Sequence, residues 1–168
     1  MQSLNLILQA RGPILQANNL IKAVDGKDRI DEMIEAFGGS LNLGLFILTL
    51  IGGVYYSYHC LFASKAFVDQ YGFGDGAIFM TRIAGSCVGA SVIVGLVVLL
   101  VGPQGAWPIV AFSFAQSLIA TVFGYITING EWAKTEGVLT TPEGYLAPLG
   151  FAIVNGILMF NMSDILYG

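Results

Sequence analysis

Residues 83–130 read IAGSCVGASVIVGLVVLLVGPQGAWPIVAFSFAQSLIATVFGYITING and carry no formal charge. A bilayer's hydrocarbon core is about 30 Å thick and a helix rises about 1.5 Å per residue, so about 20 mostly apolar residues span it. The run is long enough for two spans, and Gly102-Pro103-Gln104-Gly105 with Pro108 divides them. Two further charge-free windows, Ala36 to Ser64 and Gly144 to Ser163, each hold one more. The expectation is an all-α integral membrane four-helix bundle, with spans at about 41–62, 77–101, 107–129 and 145–164.

Composition agrees. The chain has 168 residues, 55% hydrophobic and 11% charged, against about 25% charged in an ordinary soluble domain. Seven Lys+Arg against eleven Asp+Glu leave a net charge of −4, so there is no basic footprint for nucleic acid. Four of the basic residues (Arg11, Lys22, Lys27, Arg29) and five of the acids lie before position 36. Nothing there resembles a cleavable signal peptide, so the N-terminus is expected to stay on the mature protein.

That charged front region, residues 1–39, reads as amphipathic helix ahead of a membrane domain at 40–168. Ile30, Met33, Ile34 and Phe37 follow the i, i+3, i+4, i+7 rule. Asp28 is placed to cap this helix and Gly38-Gly39 to stop it. Ile14, Ala17, Ile21 and Val24 suggest a second apolar stripe. Surface helices that bind lipid are usually rich in Lys and Arg. This region is slightly acidic, which favours docking onto protein, with membrane lipid second.

With four spans both termini share one side. Their four basic residues face Lys65, Arg82 and Lys134 opposite, which tilts the termini toward the cytoplasm, stroma or matrix. The setting would be a bacterial inner membrane or an organelle membrane. Trp107 and Tyr167 then belong to one interface, and Trp132 and Tyr145 to the other.

Residues able to do chemistry are few. One histidine and two cysteines match no zinc, haem c or iron–sulfur spacing, and no metal site is expected. His59 follows Tyr55, Tyr56 and Tyr58 near the end of the first span. It reads either as an interfacial histidine in an aromatic belt or as a contact for a pigment, haem or quinone, although the sequence requires no cofactor. Arg82, inside the second span, is costly without a counter-charge. It reads either as a snorkelling or ion-paired arginine that fixes helix packing, with Asp69, Asp75, Glu131 and Glu143 put on the same side by the topology, or as an anion or lipid-headgroup site. Gly85 and Gly89 form a GxxxG, and Gly95 continues a neighbouring small-residue stripe, so the second span packs closely on another helix. Gln116, Asn155 and Asn161 are expected to hydrogen-bond between helices. No nucleophile–base pair or phosphate-binding loop is present.

Phe67-Val-Asp-Gln-Tyr-Gly72, followed by Arg82-Ile-Ala-Gly85 and a glycine-spaced apolar run to Leu100, resembles small four-helix bacterial membrane proteins of the DoxX-like and related uncharacterised groups. The likeness covers about a third of the chain and leaves out the amphipathic front. It implies architecture alone, since those groups have no general assigned activity.

Three functional expectations follow. The foremost is a non-catalytic membrane subunit within a larger assembly, respiratory or photosynthetic. The others are a small homo-oligomeric transporter or channel, and a quinone-, haem- or pigment-handling protein using His59.

Overall fold

The computed structural model describes residues 26–168. Most of the region read as an amphipathic front, including the stripe at Ile14, Ala17, Ile21 and Val24, lies outside these residues. Described are seven α-helices: α1 (Gly26–Ala36), α2 (Ser40–Leu61), α3 (Ser64–Gln70), α4 (Ile78–Val101), α5 (Trp107–Ile128), α6 (Glu143–Asn161) and α7 (Ser163–Leu166). Single 3₁₀ turns stand at Asp75–Ala77 and Glu131–Lys134. Four of the helices are long and apolar enough to cross a membrane: α2, α4 with its leading turn, α5 and α6.

α2 and α4 run antiparallel, as do α5 and α6. Gly53 lies against Val92 and Gly85 against Cys60 in the first pair, while Phe114 meets Gly156 and Tyr125 meets Tyr145 in the second. The two pairs join through α2 and α6, where Gly52 faces Phe151 and Asn42 faces Asn161. Consecutive α4 and α5 pack on each other far less than on their partners. The order in space is therefore α4, α2, α6, α5, with two outer helices, and the bundle is open on that side.

One end, the near end, carries α1, the α4–α5 turn and α7. Its core contains Phe37, Leu43, Phe46, Leu50, Val110, Leu158, Met162 and Leu166. α1 docks there through the stripe seen in the sequence. Phe37 is buried with its ring 5.1 Å from Phe46, and Met33 and Ile34 pack on the same cluster. Ile30, one turn further out, stays exposed.

Gly38 ends α1 as expected. At φ 68° it lets Gly39 N–H reach Ile34 O (2.8 Å) and its own N–H reach Glu35 O (2.9 Å). This pair of bonds is the Schellman arrangement. Asp28, expected to cap this helix, lies inside α1 as described from Gly26, and its side chain is outside the described residues.

The fourth span starts and stops earlier than expected, at Glu143 and Asn161 rather than 145 and 164. Pro148 consequently lies beyond the first turn, and its missing N–H leaves the carbonyl of Gly144 without its intrahelical donor. That carbonyl faces α5 at Gly124, where a Cβ would come within 2.7 Å of it.

Of the three amides expected to bridge helices, Asn161 does so, donating Nδ2–H to Asn42 Oδ1 at 3.4 Å. Asn155 instead bonds back to Phe151 O, one turn earlier in its own helix (2.8 Å). Gln116 has no side-chain hydrogen bond among the described residues. Asn42, which the sequence reading passed over, carries the junction: it is 6% exposed and donates to Phe37 O at 3.0 Å. Asn42→Leu strands that carbonyl and the Asn161 amide together. The expected loss is about 1–3 kcal/mol, read as a lower unfolding midpoint in detergent, with Asn161→Leu milder.

Candidate functional site

The polar and aromatic residues of interest gather at the far end, where α2, α3, the start of α4 and the 129–142 connection meet. In the last turns of α2 the helical period separates the expected trio. Tyr55 and His59 are four residues apart on one face, with ring centroids 4.5 Å apart, and Tyr58 meets His59 edge-on at 5.8 Å. Tyr56 turns to another face, edge-on to Phe67 of α3 at 6.1 Å. His59 is half-buried and makes no hydrogen bond among the described residues. The geometry thus offers an imidazole between two phenol rings, Tyr55 and Tyr58, and Tyr56 belongs to a different group.

That group is an aromatic series missed in the sequence. From Tyr56 and Phe67 it continues to Tyr71 (5.1 Å), to Phe73 (5.8 Å, stacked) and to Trp132 (5.5 Å). It links the consecutive helices α2 and α3 to the Glu131–Lys134 turn, about sixty residues further along the chain, so its closing member Trp132 leaves no local pattern to read. Backbone closes the same seam, because Leu139 N–H donates to Tyr71 O at 3.0 Å. Burial, and then the negative charge of Glu143, push the Tyr71 phenol above the ordinary tyrosine range.

The charges pair differently from expectation. Lys65 Nζ bridges Asp69 Oδ1 (2.8 Å) and Asp75 Oδ1 (2.7 Å), and these bonds hold its ammonium more firmly protonated than an ordinary lysine's. Neither acid pairs with Arg82. Lys65 is one helical turn from Asp69, whereas Arg82 stands two turns, about 10 Å of rise, beyond Asp75. Arg82 instead donates its Nε–H to Ser64 Oγ at 3.2 Å. All the groups of this bridge are well exposed, so its effect on stability is small.

The three packing glycines lie on the α2–α4 seam with unequal clearance. A Cβ on Gly85 would sit 2.5 Å from Cys60 Cβ, and one on Gly95 2.5 Å from Leu50 Cδ2, but on Gly89 nothing comes nearer than Ser57 Oγ at 3.6 Å. Ser57 Oγ itself is buried without a partner. Cys60 and Cys87 are free thiols, the first buried and the second exposed.

No group of three His, Cys, Asp or Glu able to hold a metal exists among the described residues. An open crevice of about 410 Å³ lies at the near end instead, among Ala36, Val101 to Gln104, Asp164 and Ile165. His59 does not line it. Trp107 and Tyr167 stand together at that end, 6.0 Å apart, and Trp132 and Tyr145 at the other.

No protein-family model, curated protein or solved structure matches this chain. The likeness drawn from Phe67–Gly72 and Arg82–Gly85 therefore rests on those residues alone and carries no argument beyond architecture.

Proposed function

We propose that this chain is a non-catalytic integral membrane subunit that packs within, and stabilises, a larger membrane complex of respiratory or photosynthetic type. One observation carries the reading: outermost α5 packs along its length mainly on one neighbour, α6. Val110 is its one buried residue, while Phe112, Ile119 and Phe123 are exposed. Gln116 stands among them with a carboxamide that finds no partner within the described residues. In hydrocarbon such an amide gains from a hydrogen bond supplied by an adjacent helix, and other subunits are the natural source. The docked α1 helix and the scarcity of catalytic groups support the same reading.

The test is gentle detergent extraction, then a native gel, mass spectrometry of co-migrating proteins and an absorbance spectrum. Defined partner subunits at fixed stoichiometry are expected. A colourless, stable particle of this chain alone would overturn the proposal. Visible absorbance lost in His59→Ala would replace it with the cofactor-handling reading.

A further inference from the structure

Arg82 lies in the second turn of α4, within a stretch apolar enough to cross a membrane. A guanidinium there needs a counter-charge or a route to the interface. No acid among the described residues stands within ion-pair distance of it. Asp69 and Asp75 are taken by Lys65, and Glu131 by Lys134 at 2.5 Å. What the chain does supply is a fixed orientation. Ser64, 3% exposed at the first turn of α3, accepts the Nε–H, so the guanidinium plane is held and both terminal amino groups stay available. The side chain itself is exposed on the outside of the α2–α4 pair.

We propose that Arg82 is a phosphate site: its terminal amino groups take two oxygens of a phospholipid headgroup, with Ser64 as the positioning residue. Three points support this assignment. A span's first turns lie at the depth of the headgroup layer, where lipid phosphates are the abundant anions. The planar fork of arginine matches two phosphate oxygens, which a lysine ammonium cannot do. Lys65 engages both Asp69 and Asp75, so these carboxylates are held away from Arg82 and do not compete with the phosphate for its amino groups, although the bridge keeps a net charge of −1. The inference needs the four helices to lie in a bilayer, but not that the chain belongs to a larger complex.

The experiment uses the full chain, delipidated in mild detergent. Retained lipid is counted by native mass spectrometry, and the unfolding midpoint is followed on adding phosphatidylglycerol, a phosphate-free galactolipid or inorganic phosphate. Wild type should retain phosphatidylglycerol at least about tenfold more strongly than Arg82→Gln, with the midpoint rising only in wild type. Arg82→Lys, which keeps the charge should the glutamine variant fail to fold, should fall below wild type, as should Ser64→Ala. Equal retention by wild type and Arg82→Lys would overturn the bidentate site. Equal response to the galactolipid would overturn phosphate recognition. A full response to inorganic phosphate alone would overturn the lipid assignment.

Discussion

Gly72→Ala should be among the most damaging single-methyl additions in this chain, lowering stability by about 2–5 kcal/mol. Two independent terms add. Gly72 has φ +67°, a left-handed conformation that costs a residue with a Cβ roughly 1–2 kcal/mol. The new Cβ would also run into the carbonyl oxygen of Gly137, which is backbone and cannot swing aside. Overpacking of this kind costs about 1–3 kcal/mol. Gly137→Ala supplies the control. Its φ of +85° imposes comparable strain, but nothing lies within 4 Å of its Cβ position, so only the first term applies.

The damage should also be local. Gly72 sits between Tyr71, whose carbonyl accepts from Leu139, and Phe73, whose ring packs on Trp132. In a Trp107→Phe background, Trp132 fluorescence should shift on Gly72→Ala and change little on Gly137→Ala. Equal losses of stability in the two variants would show that the 72–137 contact is not formed.

The same junction marks the limit of what could be read beforehand. The four long helices were legible because membrane-length apolarity is a property of contiguous residues. Gly102–Gly105 and Gly38-Gly39 announced their turns by composition. The α1 stripe was legible for the same reason, since helical spacing is local. The junction between Tyr71 and Leu139 joins residues nearly half the chain apart, and only the three-dimensional path shows it.

Charge pairing failed for a related reason. Sequence placed Arg82, Asp69 and Asp75 on one side, but side alone does not choose between two cations. One turn of α3 brings Lys65 to Asp69, and the chain reversal after Tyr71 brings Asp75 to the same ammonium. Asn42 shows a third case, because its signal was present. It is a lone amide in the apolar run of α2, and its importance depends on Phe37 O, in the turn that ends α1, and on Asn161 of α6.

Gly85→Ala and Gly89→Ala should differ sharply although both change the same motif. The two glycines are four residues apart and share a face of α4, so by sequence they are equivalent. Their neighbours on α2 are not. The methyl at 85 would meet Cys60 Cβ at 2.5 Å and Leu61 Cγ at 3.2 Å. A Cβ is tied directly to the backbone, so relief requires the two helices to separate, at a cost of about 1–3 kcal/mol. The methyl at 89 would find Ser57 Oγ at 3.6 Å and Leu61 Cδ1 at 3.8 Å, ordinary van der Waals distances. There the gain in helix propensity, up to about 1 kcal/mol, meets little opposition. Reversible unfolding in detergent should place Gly85→Ala clearly below wild type and Gly89→Ala at or above it. Cys60→Gly removes the obstructing atom, so Gly85→Ala should cost less in that background than in wild type. Equal destabilisation at both positions, without relief from Cys60→Gly, would mean that the motif faces another chain rather than α2. In that case α4 would offer a second face for a neighbouring helix, beside the α5 face on which the proposed role rests.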